Sequence, residues 1–195
     1  MDSDDAVELL KAAIPREPGV WADLGAGTGT FTRALASLLP GGRVYAVDQN
    51  ACSLSKLNNQ RQRGAATIIP VVADFTRPLD LPGLGGAELD GLLFANSLHF
   101  VADPATALGA LAARVRTGGR IVIVEYDRRA ASRWVPYPIP ANRLPALAKA
   151  VGLTELTIVA RGIVVRRDPV RRYRVKAFLR LLISPSNIRW AFRRR

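Results

Sequence analysis

Residues 21–31 read WADLGAGTGTF. An apolar run ends in Asp23, and glycines follow at alternate positions, Gly25, Gly27 and Gly29, with Ala26 between the first two. A glycine-rich strand-to-helix turn lets backbone amides come close to a ligand. The dinucleotide fingerprint puts its third glycine one residue further on, where this chain has Thr30. Asp23 also speaks against a phosphate, because a carboxylate beside the loop repels a pyrophosphate and attracts a cation. Asp48 closes VYAVDQN, 23 residues after Gly25, where a carboxylate can accept from both hydroxyls of a ribose. Asp74 closes VVADF, where a carboxylate or its neighbouring amide can read an adenine edge. Three successive strand ends therefore present acids, and the matching ligand carries a nucleoside and an ammonium group but no phosphate. The plainer alternatives are a bare tight turn for the glycines, and a helix cap or solvated loop charge for each aspartate.

A base would be needed wherever an acceptor must lose a proton. His99, the only histidine, lies in NSLHFV just past a strand. Imidazole is the side chain whose ordinary titration range suits that task. The alternative is that His99 packs and hydrogen-bonds in the loop leading to Asp103. Tyr126 and Asp127 follow the next strand and could line an acceptor pocket, while Glu125 is either buried at that strand's end or merely closes it. Trp134 and Tyr137, spaced by prolines in ASRWVPYPIPANRL, suit an apolar or aromatic acceptor, or else seal the core as a stiff connector. One cysteine, Cys52, permits no internal disulfide and no cysteine metal cluster, so no metal is expected and a reducing cytoplasm is the default compartment.

The elements that must hold these residues alternate. Helical patterns cover residues 4–14, 30–39, 51–63, 103–115 and 141–151, with Ser3, and Asp103 before Pro104, as N-caps. Strand patterns cover residues 20–24, 43–47, 68–72, 89–95, 120–126 and 153–160. Pro70 marks the third strand as an edge or a bulge. Strands alternating with helices argue a parallel, doubly wound sheet covered on both faces. In such sheets ligands bind at the carboxyl ends of strands, where the candidate residues fall.

The chain has 195 residues, enough for one domain that buries roughly 70% of its unfolded surface. No apolar run approaches a membrane span, and the acidic start MDSDDAVELL lacks the basic region of a signal peptide. Of the net charge of +12, residues 161–195 carry 12 basic groups and one acidic, leaving the first 160 residues near neutral. Arguments about anionic partners therefore belong to the tail.

In order and spacing, DLGAGTG, VYAVDQN, VVADF, DGLLFANSLHFV and VRTGGRIVIVEYD resemble the successive motifs of class I S-adenosylmethionine-dependent methyltransferases, over about residues 15–165. The chain is similar to the small bacterial enzymes of the ubiquinone/menaquinone C-methyltransferase type. The resemblance implies an α/β, mostly parallel Rossmann-like sheet with helices on both faces. It implies a domain over residues 1–165; residues 166–195, outside the resemblance, are expected as an atypical basic tail, partly helical or disordered. It implies S-adenosylmethionine as cosubstrate, S-adenosylhomocysteine as product, and a small-molecule acceptor with a carbon or oxygen nucleophile. Asp23 would then serve the methionyl ammonium, directly or through water. Gly25, Ala26, Gly27 and Gly29 would pass close to the methionine and ribose. Asp48 would bind the ribose hydroxyls, with Gln49 beside the adenine. Asp74 would accept from the adenine amino group, Phe75 would supply a backbone N–H and an apolar wall, and Asn96 would lie near the transferred methyl. Displacement at a sulfonium needs no acid for its neutral leaving group, so the protein's work is chiefly alignment, with effective molarities that reach ~10⁵ M.

Within the family, NSLH in place of Asn/Asp-Pro-Pro-Tyr disfavours exocyclic base methylation, and a single cysteine disfavours cysteine-based RNA cytosine or arsenite methylation. The rival reading is a non-catalytic protein that keeps the donor pocket and binds RNA or a partner through its tail. A dinucleotide dehydrogenase is a distant third. The tail itself, GIVVRRDPVRRYRVKAFLRLLISPSNIRWAFRRR, departs from the family's usual final strand. YRVKAFLRLLI reads as strand or helix. An amphipathic helix over 170–183 would suit an anionic membrane surface, the Arg-rich stretch with Trp190 and Phe192 would suit nucleic acid, and a poorly structured end is the third option.

Overall fold

The computed structural model describes residues 3–57, 64–126, 130–162 and 178–185. Among them seven strands form one sheet: β1 (Val20–Leu24), β2 (Arg43–Asp48), β3 (Thr67–Val72), β4 (Leu89–Ala95), β5 (Val115–Tyr126), β6 (Leu153–Gly162) and β7 (Phe178–Pro185). Their order is β3-β2-β1-β4-β5-β7-β6. The first five run parallel, and β7 is antiparallel to both its neighbours. The chain leaves the β3 edge and crosses to β4 on the far side of β1, so the topological switch point lies between β1 and β4.

Alternation along the central strands divides the core. Leu92, Phe94, Ile121 and Ile123 enter one apolar cluster, shared with α4 (Pro104–Ala112) and α5 (Leu144–Ala150). Leu93, Ala95, Val122 and Val124 enter the other, shared with α1 (Ser3–Leu10) and α2 (Thr30–Leu38). This period-two burial on both faces is why the parallel strands read as continuous apolar runs. Each large side chain so buried contributes about 1.5–3 kcal/mol. α3 (Ala51–Ser55) follows β2, capped by the Asn50 side chain, which accepts from the Ser53 N–H.

Several bounds differ from the sequence reading. α1 ends at Leu10 and contains Ser3, which therefore does not cap it. The described part of the helix expected over 51–63 ends at Ser55, and residues 58–63 lie outside the described set. α4 ends at Ala112, and β5 begins at Val115 rather than residue 120 because Leu89 already pairs with Val115, ahead of an irregularity before Gly91. β3 is an edge strand in unbroken register with β2, so Pro70 marks an edge and not a bulge. Asp103 caps α4 by accepting from the Thr106 N–H at 3.1 Å, with Pro104 as the first helical residue.

Over its described residues, the end of the chain resolves the choice between strand and helix that the sequence leaves open. Residues 178–185 form β7 between β5 and β6, pairing Tyr126 with Phe178 and Ile121 with Ile183 on one side and Leu153 with Pro185 on the other. A helix through 183 is therefore excluded, and β5 has no bare edge. The physical reason is that the N–H and C=O groups along β5 need a partner strand, a demand local side-chain periodicity does not register. Residues 163–177 and 186–195, with Trp190 and Phe192, lie outside the described set.

Candidate functional site

The glycine loop joins β1 to α2 at the switch point. The N–H groups of Gly25 and Ala26 both donate to the Val47 carbonyl, at 2.8 and 2.9 Å, which folds the loop across the end of β2. Gly25 has φ of 81°, and a Cβ there would stand 2.4 Å from the Ser97 Cβ. The loop thus packs hard against the turn after β4, a contact only glycine permits. Gly27, with φ of 55°, differs: nothing lies within 4 Å of where its Cβ would be. The space over Gly27 is open.

Asp48, at the end of β2, holds this loop. Its Oδ2 accepts from the Gly27 N–H and its Oδ1 from the Asn50 N–H, both at 2.8 Å. Asp23 lies below, fully buried, with Oδ2 accepting from the Thr32 hydroxyl at 2.6 Å and Oδ1 without a partner. Burial pushes its carboxyl up from 3.8 to about 7; the Thr32 bond opposes the rise and the Asp48 charge adds to it. Asp74, after β3, turns one oxygen on its own loop, with Oδ1 accepting from the Thr76 N–H at 2.9 Å and the Thr76 hydroxyl at 2.7 Å. Those bonds, with Arg77 nearby, hold its carboxyl below the usual value.

A cleft of about 250 Å³ opens at these strand ends, running from Asp48 and Gln49 through residues 73–76 to Ser97, Phe100 and Val101. Four of the expected residues, Asp48, Gln49, Asp74 and Phe75, line it together. The Phe75 ring is braced edge-on against Phe94, with centroids 5.8 Å apart. Asn96, beside the cleft, has a left-handed φ of 55° and donates its N–H to the Val124 carbonyl at 2.8 Å, while its Oδ1 is buried without a partner. Asp23 and the unfilled Asn96 amide oxygen are thus two buried acceptors at the switch point.

His99 is 2% exposed and is not on the cleft's lining. Its Nδ1 lies 2.5 Å from Glu125 Oε2. Tyr126 stands beside it, ring centroids 6.0 Å apart. Tyr137 donates its N–H to the His99 carbonyl at 3.0 Å, whereas Trp134 is 76% exposed beneath the Arg133 guanidinium. The residues sequence reasoning passed over are Thr32, Ser97 and Phe100. Ser97 donates its hydroxyl to the Leu24 carbonyl and so ties the turn after β4 to β1. The available signals were a hydroxyl on the apolar face of α2 and an aromatic next to His99. Asp127 lies outside the described residues.

Comparison with known proteins gives the family and the fold. A family model described as "Methyltransferase domain" matches residues 22–123. A release factor glutamine methyltransferase from Moorella thermoacetica is 35% identical over 125 residues, which is 63% of this chain and 41% of that protein. The chain thus spans about two fifths of that relative's length. A 1,6-didemethyltoxoflavin-N1-methyltransferase from Burkholderia thailandensis, solved with bound 1,6-didemethyltoxoflavin and S-adenosylhomocysteine, superposes with a TM-score of 0.67 at 23% identity, covering 94% of this chain and 78% of its own. A Bacillus halodurans protein described as a putative methyltransferase gives 0.67 at 13% identity, covering 94% and 100%.

Proposed function

The chain belongs to the methyltransferase-domain family, and from that premise we propose that it transfers a methyl group from S-adenosylmethionine to a small-molecule acceptor. The observation that carries the reading is Asp23: a buried carboxyl oxygen with no partner, under a glycine loop whose outer face is open. Such an oxygen is costly unless a donor reaches it. An ammonium group fits that demand and a phosphate does not. Asp48 would accept from ribose hydroxyls with the lone pairs that the Gly27 and Asn50 amides leave free. Gln49, Asp74 and Phe75 would border the adenine, with Asp74 Oδ2, which Thr76 leaves and Arg77 Nε flanks at 3.5 Å, using a remaining lone pair, and Asn96 would stand near the methionine end. When bound, the cosubstrate would supply an electrophilic methyl on sulfur. The chain's own part is to align and to exclude water.

The acceptor class rests on exposed aromatic rings. Phe100 on the cleft is 58% exposed, Tyr137 46%, and Trp134 stands out further along the same segment. An apolar, aromatic or lipid-like acceptor with a carbon or oxygen nucleophile would cover them, with Tyr126 beside it. Among the described residues no helix is long and apolar enough to cross a membrane. The lone cysteine suits the cytoplasm. The alternative, a cosubstrate-binding protein that engages RNA, an anionic membrane or a partner through its basic end, draws on the +11 balance of residues 161–195.

Isothermal titration calorimetry with S-adenosylmethionine, and separately with NAD, tests the first step: binding of the former alone is expected. Asp48→Ala should weaken it by ~1.5–3 kcal/mol, roughly tenfold or more; unchanged affinity removes Asp48 from the site. Appearance of S-adenosylhomocysteine on incubation with cell extract separates enzyme from binder.

A further inference from the structure

We propose that Glu125 and His99 form a positioning pair that holds the cleft wall and the acceptor-side segment in one geometry, with His99 kept as its Nδ1–H tautomer. Glu125 is 1% exposed at the end of β5. Burying a carboxylate costs several kcal/mol unless its oxygens are filled, and here they are. Oε1 accepts from the Leu98 N–H at 2.9 Å and the His99 N–H at 3.2 Å, and Oε2 faces His99 Nδ1 at 2.5 Å. Residues 98–100 form a 3-10 turn whose preceding residue, Ser97, provides no side-chain cap. Glu125 caps that turn instead, from 25 residues or more away along the chain.

What the turn carries explains why it must be held. Ser97, Phe100 and Val101 line the cleft on either side of His99 in sequence. Ser97 also grips β1 and abuts the glycine loop. The His99 carbonyl takes the Tyr137 N–H. The pair is therefore a buried node between β5, the cleft wall and the Pro-rich aromatic segment. His99 itself is sealed off from the cleft and its Nδ1 is committed, so it acts through its neighbours. Both Glu125 oxygens act as acceptors here, Oε1 toward the two backbone N–H groups and Oε2 toward the ring, so Nδ1 is the donor in the 2.5 Å contact and in the neutral imidazole Nε2 carries no proton.

With one histidine in the chain, ¹⁵N NMR of the imidazole needs no assignment. In the wild type at alkaline pH a pyrrole-type Nδ1 and a pyridine-type Nε2 are expected. Glu125→Gln keeps the Oε1 acceptor but turns an amide N–H₂ toward Nδ1, so the signals should exchange to the Nε2–H form. His99→Asn places an amide nitrogen where Nδ1 stood and should keep affinity for S-adenosylhomocysteine within about threefold, whereas His99→Leu should weaken it about tenfold or more. An Nε2–H tautomer in the wild type overturns the proposal. So does a His99→Leu protein that loses thermal stability but not affinity, and so does a folded His99→Asn protein with no rescue. If His99→Asn binds normally but turnover in extract falls about 100-fold or more, the imidazole itself moves a proton and the positioning role is wrong. The kinetic and affinity arms rest on the methyl-transfer reading. Wild-type protein that binds no S-adenosylhomocysteine would sink that reading, leaving the two tautomer measurements to decide for or against the pair.

Discussion

A carboxyl group sealed from water at the foot of a glycine loop is a poor choice for stability and a good one for recognition. Asp23 holds its proton more tightly in the folded protein, at about 7 against 3.8 for the free group, chiefly because burial disfavours the charge. The stability it contributes is therefore full below about pH 4 and is lost as pH rises through about 7, a span worth about 4 kcal/mol. The thermal midpoint should fall between about pH 5 and about pH 7.5, and Asp23→Asn should flatten this slope. A wild-type midpoint that is level across that range would mean the carboxyl is not buried as described. An ammonium brought to Oδ1 favours the ionised form, so cosubstrate binding near pH 6 should release a proton. Affinity should rise about fivefold from pH 6 to pH 7. Calorimetry in two buffers of different ionisation enthalpy reads the proton directly, and an equal heat in both would detach Asp23 from the ligand.

At the scale of the element, the loop between β1 and α2 uses two glycines for different ends. Gly25 meets the turn after β4, and Gly27 faces open space. Gly25→Ala should destabilise the fold by about 2 kcal/mol or more, because the positive φ and the Ser97 contact both resist a methyl group. Gly27→Ala carries only the backbone cost of about 1 kcal/mol, yet its methyl would enter the open space that the proposed reading gives to the cosubstrate. Denaturant unfolding and calorimetry on the two variants should therefore give opposite rankings, with Gly25→Ala worse for stability and Gly27→Ala worse for S-adenosylhomocysteine affinity. Equal ligand affinity for Gly27→Ala and wild type would put the cosubstrate elsewhere.

For the whole molecule the decisive feature is β7. It is the last described strand in sequence, yet it sits inside the sheet, pairing with β5 on one side and β6 on the other. Parallel pairs can form as the chain grows, but β6 has no place in the sheet until β7 arrives. A chain cut after residue 168 should consequently expose the β5 edge over Ile121–Tyr126 and detach β6, giving association on size exclusion and a thermal midpoint lower by several degrees or more. A monomeric truncated protein with an unchanged midpoint would show that the sheet does not need β7.

Much of this was legible in the chain because the signals were local. Apolar runs punctuated by Gly and Pro located β1 to β6, and Asp-Pro before an apolar stretch located the start of α4. Asp23, Asp48 and Asp74 stood out because each follows such a run, and periodicity alone placed them at strand ends. Tertiary structure decided what those acids do before any ligand comes. Asp48 ties down Gly27, Asp74 bonds to Thr76, and only Asp23 keeps an oxygen free. It also decided that Glu125 caps a turn it meets only in space, that His99 is buried off the cleft, and that residues 178–185 are a strand and not a helix. The reason is the same in each case. Alternation and spacing record which face a residue turns to, whereas hydrogen-bond partners distant along the chain depend on how the sheet brings strands together, and no short stretch of sequence carries that.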